Sequence, residues 1–162
     1  MAPARFVTDT SLEFLARRLR FLGYDVALLR GARLEELLDA ARHDGRTVLT
    51  TSTRHPRRFS DVEVRSLPRA DARDLVRAIA AESEAVGPPF SRCPECNVAL
   101  HRRHPFEARG EVPGRVLRAA RTLTYCPSCG KWFWMGSHVA RLRAWLEEAL
   151  GHPLPSETPV EG

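Results

Sequence analysis

An α/β fold is the class this sequence predicts: a parallel sheet covered by helices, then a four-cysteine ribbon and a last helix. Short apolar runs alternate with amphipathic stretches through the first half of the chain, with tight connections. That alternation is how strand–helix units of a parallel sheet read. The four cysteines form two C-x2-C pairs, Cys93-Pro94-Glu95-Cys96 and Cys126-Pro127-Ser128-Cys129-Gly130, and Gly87-Pro88-Pro89 divides them from the first pattern.

Arg5-Phe6-Val7-Thr8-Asp9 reads as a buried strand ending in an acid. Thr10 and Glu13 fit a capping box at the head of a helix whose apolar stripe is Leu12, Leu15, Leu19 and Leu22, with Arg17, Arg18 and Arg20 off the stripe. Gly23-Tyr24-Asp25 stops that helix, and Val26 to Leu29 is a second strand. Leu34, Leu37, Leu38 and Ala41 mark a second helix ending near Asp44-Gly45. Thr47 to Thr50 is a third strand, opening into the polar run Thr51 to Pro56. Val62 to Arg65 is a weaker strand, and Asp71 to Ala85 a helix through Leu75, Val76 and Ile79.

The division expected is an α/β domain over 1–87, a ribbon plus C-terminal helix over 88–150, and a disordered tail over 151–162 carrying three prolines. Within the ribbon, at roughly 91–135, Val116 to Tyr125 and Trp132 to Trp134 are expected as strands. Ser137 is placed to cap the last helix, with Val139, Leu142, Leu146 and Leu150 as its buried stripe.

Each C-x2-C turn lets two thiolates converge, so Cys93, Cys96, Cys126 and Cys129 supply the S4 shell that suits structural zinc. Two disulfides suit a secreted protein, and a redox dithiol needs one such pair rather than two. No signal peptide or membrane-length apolar run is evident, which points to a cytoplasmic protein with reduced cysteines.

The net charge is +5, and residues 92–131 alone hold seven arginines, Lys131 and three acids. Arg102, Arg103, Arg118 and Lys131 are candidate nucleic-acid contacts in that patch. Lys131 is the only lysine, so a solvated arginine-rich face is the other reading of the same charge. Trp132, Phe133 and Trp134 can stack nucleobases, though such aromatics more often cover a small ribbon. His101, His104 and His138 read as phosphate contacts, caps or surface residues.

In an open parallel sheet, ligands bind beyond the carboxyl ends of the strands. Asp9, Glu35, Glu36 and Thr50 to Thr53 belong at that end. Clustered carboxylates there suit Mg²⁺ or Mn²⁺. Alternatively, Asp9 serves the following helix N-terminus and Glu36 is a solvated glutamate.

Several stretches together resemble one family. They are Val7-Thr8-Asp9, Leu15 to Asp25, Glu35-Glu36-Leu37-Leu38, Gly45 to Thr50, Phe90 to Asn97, Cys126 to Lys131 and Trp134-Met135-Gly136-Ser137-His138. Their order is similar to the Mutator-seven C-terminal RNase domain family, a PIN-like domain followed by a zinc ribbon, over nearly all of residues 5–150. The resemblance implies a metal-dependent endoribonuclease with Asp9 as the strand acid and Glu36 as the helix acid. The family usually follows its third strand with Thr-Arg-Asp, the aspartate being a metal ligand. Here Thr50-Thr51-Ser52 stands in that place, with Asp61 or His55 as candidate substitutes. The expectation is thus an RNA-directed nuclease with structural zinc and a catalytic Mg²⁺ or Mn²⁺. The alternatives are a degenerate RNA- or ribonucleoprotein-binding protein, and a protein-docking ribbon.

Overall fold

The computed structural model describes residues 3–120 and 123–156. Strands β1 (Arg5–Asp9), β2 (Asp25–Leu29), β3 (Thr47–Thr50) and β4 (Val64–Ser66) form one sheet in the order β2-β1-β3-β4. All its pairings are parallel. Helices α1 (Glu13–Phe21), α2 (Leu34–Asp44) and α3 (Ala72–Glu82) follow β1, β2 and β4. In the ribbon, α4 (Gly114–Ala119) lies between β5 (His101–Arg103) and β6 (Leu123–Tyr125). Strand β7 (Trp132–Trp134) and helix α5 (Ser137–Leu150) complete the described elements.

Parallel sheets need apolar cover on both faces, and alternation along the strands supplies it. Val7 and Val48 face α2, packing with Leu37, Leu38, Ala41, Phe59 and Val62. Phe6, Val26 and Leu49 face the other side, where α1, α3 and α5 bring Leu15, Leu19, Val76, Ile79 and Leu146. Trp145 ties these three helices together, with the guanidinium of Arg18 4.8 Å from one of its ring centroids and that of Arg73 5.1 Å away. Thus α5, grouped by sequence with the ribbon, packs against α3 in the core of the α/β layer.

Several ends differ from expectation. Asp9, not Thr10, makes the cap: its carboxylate accepts from Ser11 N at 2.8 Å and starts a 3-10 turn over Thr10–Leu12. Aspartate is a stronger cap than threonine and comes one residue earlier, so Glu13 is released to pair with Arg30 at 2.5 Å. Gly136 occupies the cap of α5, and Ser137 makes no capping bond. Strand β4 begins at Val64 rather than Val62, and α3 stops at Glu82.

The proposed strand Val116–Tyr125 is a larger correction. Residues 114–119 are helical and only Leu123–Tyr125 is strand, with Arg121 and Thr122 outside the described residues. Leu117, Arg118 and Ala119 are good helix formers, and Pro113 stands at the cap, where no N–H is needed. The tail also departs from disorder at its start. Leu154 is buried in the main core, its N–H bonded to Glu147 Oε1 at 2.9 Å, while Arg143 holds its carbonyl. The rest of the tail, from residue 157, lies outside the described residues.

Gly23-Tyr24-Asp25 does more than end α1. Gly23 has φ +93°, and a Cβ there would stand 2.1 Å from Gly87 O, so only glycine lets the linker cross. Tyr24 Oη donates to Ser83 O at 2.8 Å, and Asp25 accepts from Asn97 Nδ2 at 2.6 Å. Three successive residues thereby grip three points of the chain between α3 and the ribbon.

Candidate functional site

The ribbon is a three-stranded antiparallel sheet, β5-β6-β7, with a small core of Ala108, Val112 and Leu123 under Trp132 and Trp134. Its two cysteine turns have the same build. Asn97 N donates to Cys93 O, and Gly130 N to Cys126 O, each at 2.9 Å. The donor residues have φ of 62° and 76°, so Asn97 fills the left-handed position that Gly130 fills in the second turn. Asparagine tolerates that region better than other non-glycine residues.

All four thiols are free, which removes the disulfide reading. Their ligand atoms lie within 4.8 Å of one another, and Cys93 and Cys129 Sγ are 3.9 Å apart. Zn–S bonds of about 2.3 Å put tetrahedral sulfurs about 3.8 Å apart, so the set fits. Burial pushes the Cys93 thiol up to about 12. Alone it keeps its proton; a bound cation supplies the charge that stabilises a thiolate. The four cysteines are placed to bind a metal ion, an arrangement consistent with structural zinc.

Arg20 and Asn97 couple this centre to the α/β layer. Arg20 is only 4% exposed. Its guanidinium donates to Val26 O at 2.7 and 2.9 Å, to Pro94 O at 2.7 Å and to Glu95 O at 3.3 Å. Asn97 Oδ1 accepts from Val26 N at 3.0 Å. The first cysteine turn is thus pinned to the start of β2. Sequence reasoning placed Arg20 outside the buried stripe of α1 and so missed it.

The other end of the sheet holds the candidate acids. Strand order reverses between β1 and β3, and Thr8 Oγ1 bridges them to Leu49 O at 2.8 Å. Asp9 closes β1 at this switch point, half-buried. Glu13 also stands at this end, held below the usual carboxylate range by its hydrogen bond to Arg30. At the start of α2, Glu36 pairs with Arg33 at 3.0 Å, whereas Glu35 lies 3.6 Å from Arg54 in the loop after β3. Ser52, in the same loop, accepts from Arg54 N at 3.1 Å. His55 is bonded to Phe59 O, and Asp61 to Arg42 at 2.7 Å, so both candidate substitutes are engaged with other partners. Among the described residues, no three carboxylates or imidazoles converge as the cysteines do.

The candidate nucleic-acid contacts are exposed but not equivalent. Lys131 Nζ pairs with Glu95 at 2.6 Å, joining one cysteine turn to the other. Arg103 lies over the Tyr125 ring, 6.0 Å from its centroid. Arg102 sits on β5 opposite Thr124, and Arg118 on α4. Trp132 and Trp134 pack on the ribbon core, and Trp132 Nε1 donates to Glu111 at 2.6 Å. His104 caps the 3-10 turn Pro105–Ala108 through Nδ1, while His101 and His138 are exposed. No described helix is long and apolar enough to cross a membrane.

Comparison with known proteins agrees with this arrangement of sheet and cysteine ribbon. Searches of curated proteins and of solved structures give no match. The Mut7-C RNAse domain family matches residues 4–146, from the first strand to the last helix. A match of that extent covers both the α/β layer and the cysteine turns, and the chain belongs to the Mut7-C RNase domain family.

Proposed function

We propose that this chain is an RNA-directed protein with slow, divalent-cation-dependent endoribonuclease activity at the crevice beyond β1 and β3. The observation that carries this reading is the place of Asp9, the last residue of β1 at the reversal of strand order. Open parallel sheets bind ligands at that point. A cation there supplies Lewis-acid stabilisation of phosphoryl oxygens and an activated water. Mg²⁺ keeps most of its waters and uses one or two carboxylates, which suits a site this poor in acids.

Asp9 takes the role of strand acid. For the helix acid, Glu35 is better placed than Glu36, because its partner Arg54 lies in the loop after β3, next to Ser52. The Glu35–Arg54 pair is exposed and contributes little, so it yields readily to a competing cation. Arg102, Arg103 and Arg118 give the RNA its electrostatic hold.

A second reading, a binder without hydrolysis, is favoured by Ser52, whose neutral hydroxyl is taken up by Arg54 N. Asp9→Asn, Glu35→Gln and Glu36→Gln distinguish the two. The enzyme reading expects cleavage of a labelled RNA to fall at least tenfold with the first two and little with the third. RNA binding without cleavage in every protein favours the binder. No RNA binding at low salt points instead to protein docking.

A further inference from the structure

A half-open groove with a cavity volume of about 50 Å³ lies between the ribbon sheet and helices α1 and α5, lined by Phe21, Phe90, Arg92, Phe133, Trp134 and Val139 among others. Of the three aromatics on β7, Phe133 is the one outside the ribbon's own core. Its register explains why. Arg102 pairs with Thr124, and Thr124 with Phe133, so these three form one row across the sheet. Directly opposed residues share a face, and the alternate row, Leu123 and Trp134, faces the ribbon core.

The groove therefore combines an aromatic floor with a guanidinium in its wall. Arg92 belongs to its wall, one amino group donating to Asn97 O, and Arg102 continues the Phe133 row. The opposite wall is set by an unusual backbone. Phe90 has φ +62°, a rare conformation for a bulky residue. Its N–H is bonded to Phe21 O at 2.7 Å, and the two rings stand 6.1 Å apart. The surrounding segment, residues 92–131, carries the chain's concentrated positive charge, which matches a polyanion.

We propose that this groove seats an unpaired nucleobase of single-stranded RNA, stacked on Phe133, with the flanking phosphates held by Arg92 and Arg102. The inference rests on the RNA reading above and adds a substrate class to it. Stacking tolerates any base and requires it to leave a duplex, so single strands are the ligands and paired RNA is excluded from the groove.

The test compares a fluorescein-labelled 12-nucleotide single-stranded RNA with the same strand in a duplex, by anisotropy at low salt, using the full chain. Phe133→Ala should weaken single-strand binding at least about fivefold, in line with measured base–aromatic stacking, and leave duplex binding unchanged. Val139→Trp, which fills the groove from α5 and leaves the ribbon's own residues unaltered, should do the same. Phe106→Leu, on an exposed ribbon aromatic outside the groove, should change neither. If wild type binds both RNAs and the two groove variants bind the single strand as it does, the groove assignment is wrong. A protein segment then becomes its occupant. If wild type binds neither RNA, the RNA reading itself fails and takes the groove with it.

Discussion

Arg20→Met keeps the aliphatic stem and removes the guanidinium that Val26 O, Pro94 O and Glu95 O share. Buried acceptors left without donors cost about 1–3 kcal/mol each. We expect a loss of roughly 2–4 kcal/mol, read as a lower urea midpoint, with the metal content unchanged. Asp25 gives the fold a pH dependence. Burial raises its pKa, but hydrogen bonds from Arg46 and Asn97, helped by Arg5, outweigh that and leave it lowered. A lowered folded-state value adds stability that is present above the unfolded value, about 3.9. It is lost as pH falls through the folded value. Asp25→Asn should therefore flatten the acid limb of a stability–pH profile below about pH 4. Both residues stand in stretches the sequence made conspicuous, yet only their neighbours were legible. A helical wheel treats arginine as solvated, and it has no way to register that three carbonyls from distant segments meet at Arg20.

At the scale of elements, β1, β2 and β3 were readable because apolar residues dominate them, whereas the short, partly exposed β4 was misplaced at its start. The ribbon was less so. Val116 to Tyr125 was expected as one strand. Local helix propensity took its first half, and Leu123–Tyr125 alone completes the sheet. The four-cysteine cluster was legible in full, since C-x2-C spacing carries the geometry within itself. What spacing does not carry is the docking of the first turn on β2. Because of that docking, Cys93→Ser should do more than loosen the ribbon. Hydrogen exchange should speed up first across residues 91–135 and then at Val26, whose N–H depends on Asn97. The wild type should purify with about one zinc per chain, as a closed four-ligand site holds one ion. Metal analysis showing no zinc would overturn the ribbon's role, and Cys93→Ser with unchanged exchange at Val26 would overturn the coupling.

For the whole molecule, the two centres face away from each other along the strands. The cysteine ribbon is tied to Asp25 and Val26, at the start of β2, while Asp9 pairs with Leu29 at its end. The two ends of β2, Asp25 and Leu29, are about 13 Å apart, so on the proposed reading RNA held on the ribbon would run along the strands to reach the crevice. On that reading, binding and cleavage should be separable by mutation. The most direct test is cleavage of labelled RNA across a Mn²⁺ titration by wild type, Asp9→Asn and Ser52→Asp. Asparagine can still cap the turn at Thr10–Leu12, and aspartate can still accept from Arg54 N as Ser52 does, so neither change should disturb the fold. The account predicts slow wild-type cleavage that rises with Mn²⁺, disappears with Asp9→Asn while RNA binding persists, and increases at lower Mn²⁺ with Ser52→Asp. Robust wild-type cleavage that survives Asp9→Asn would contradict it.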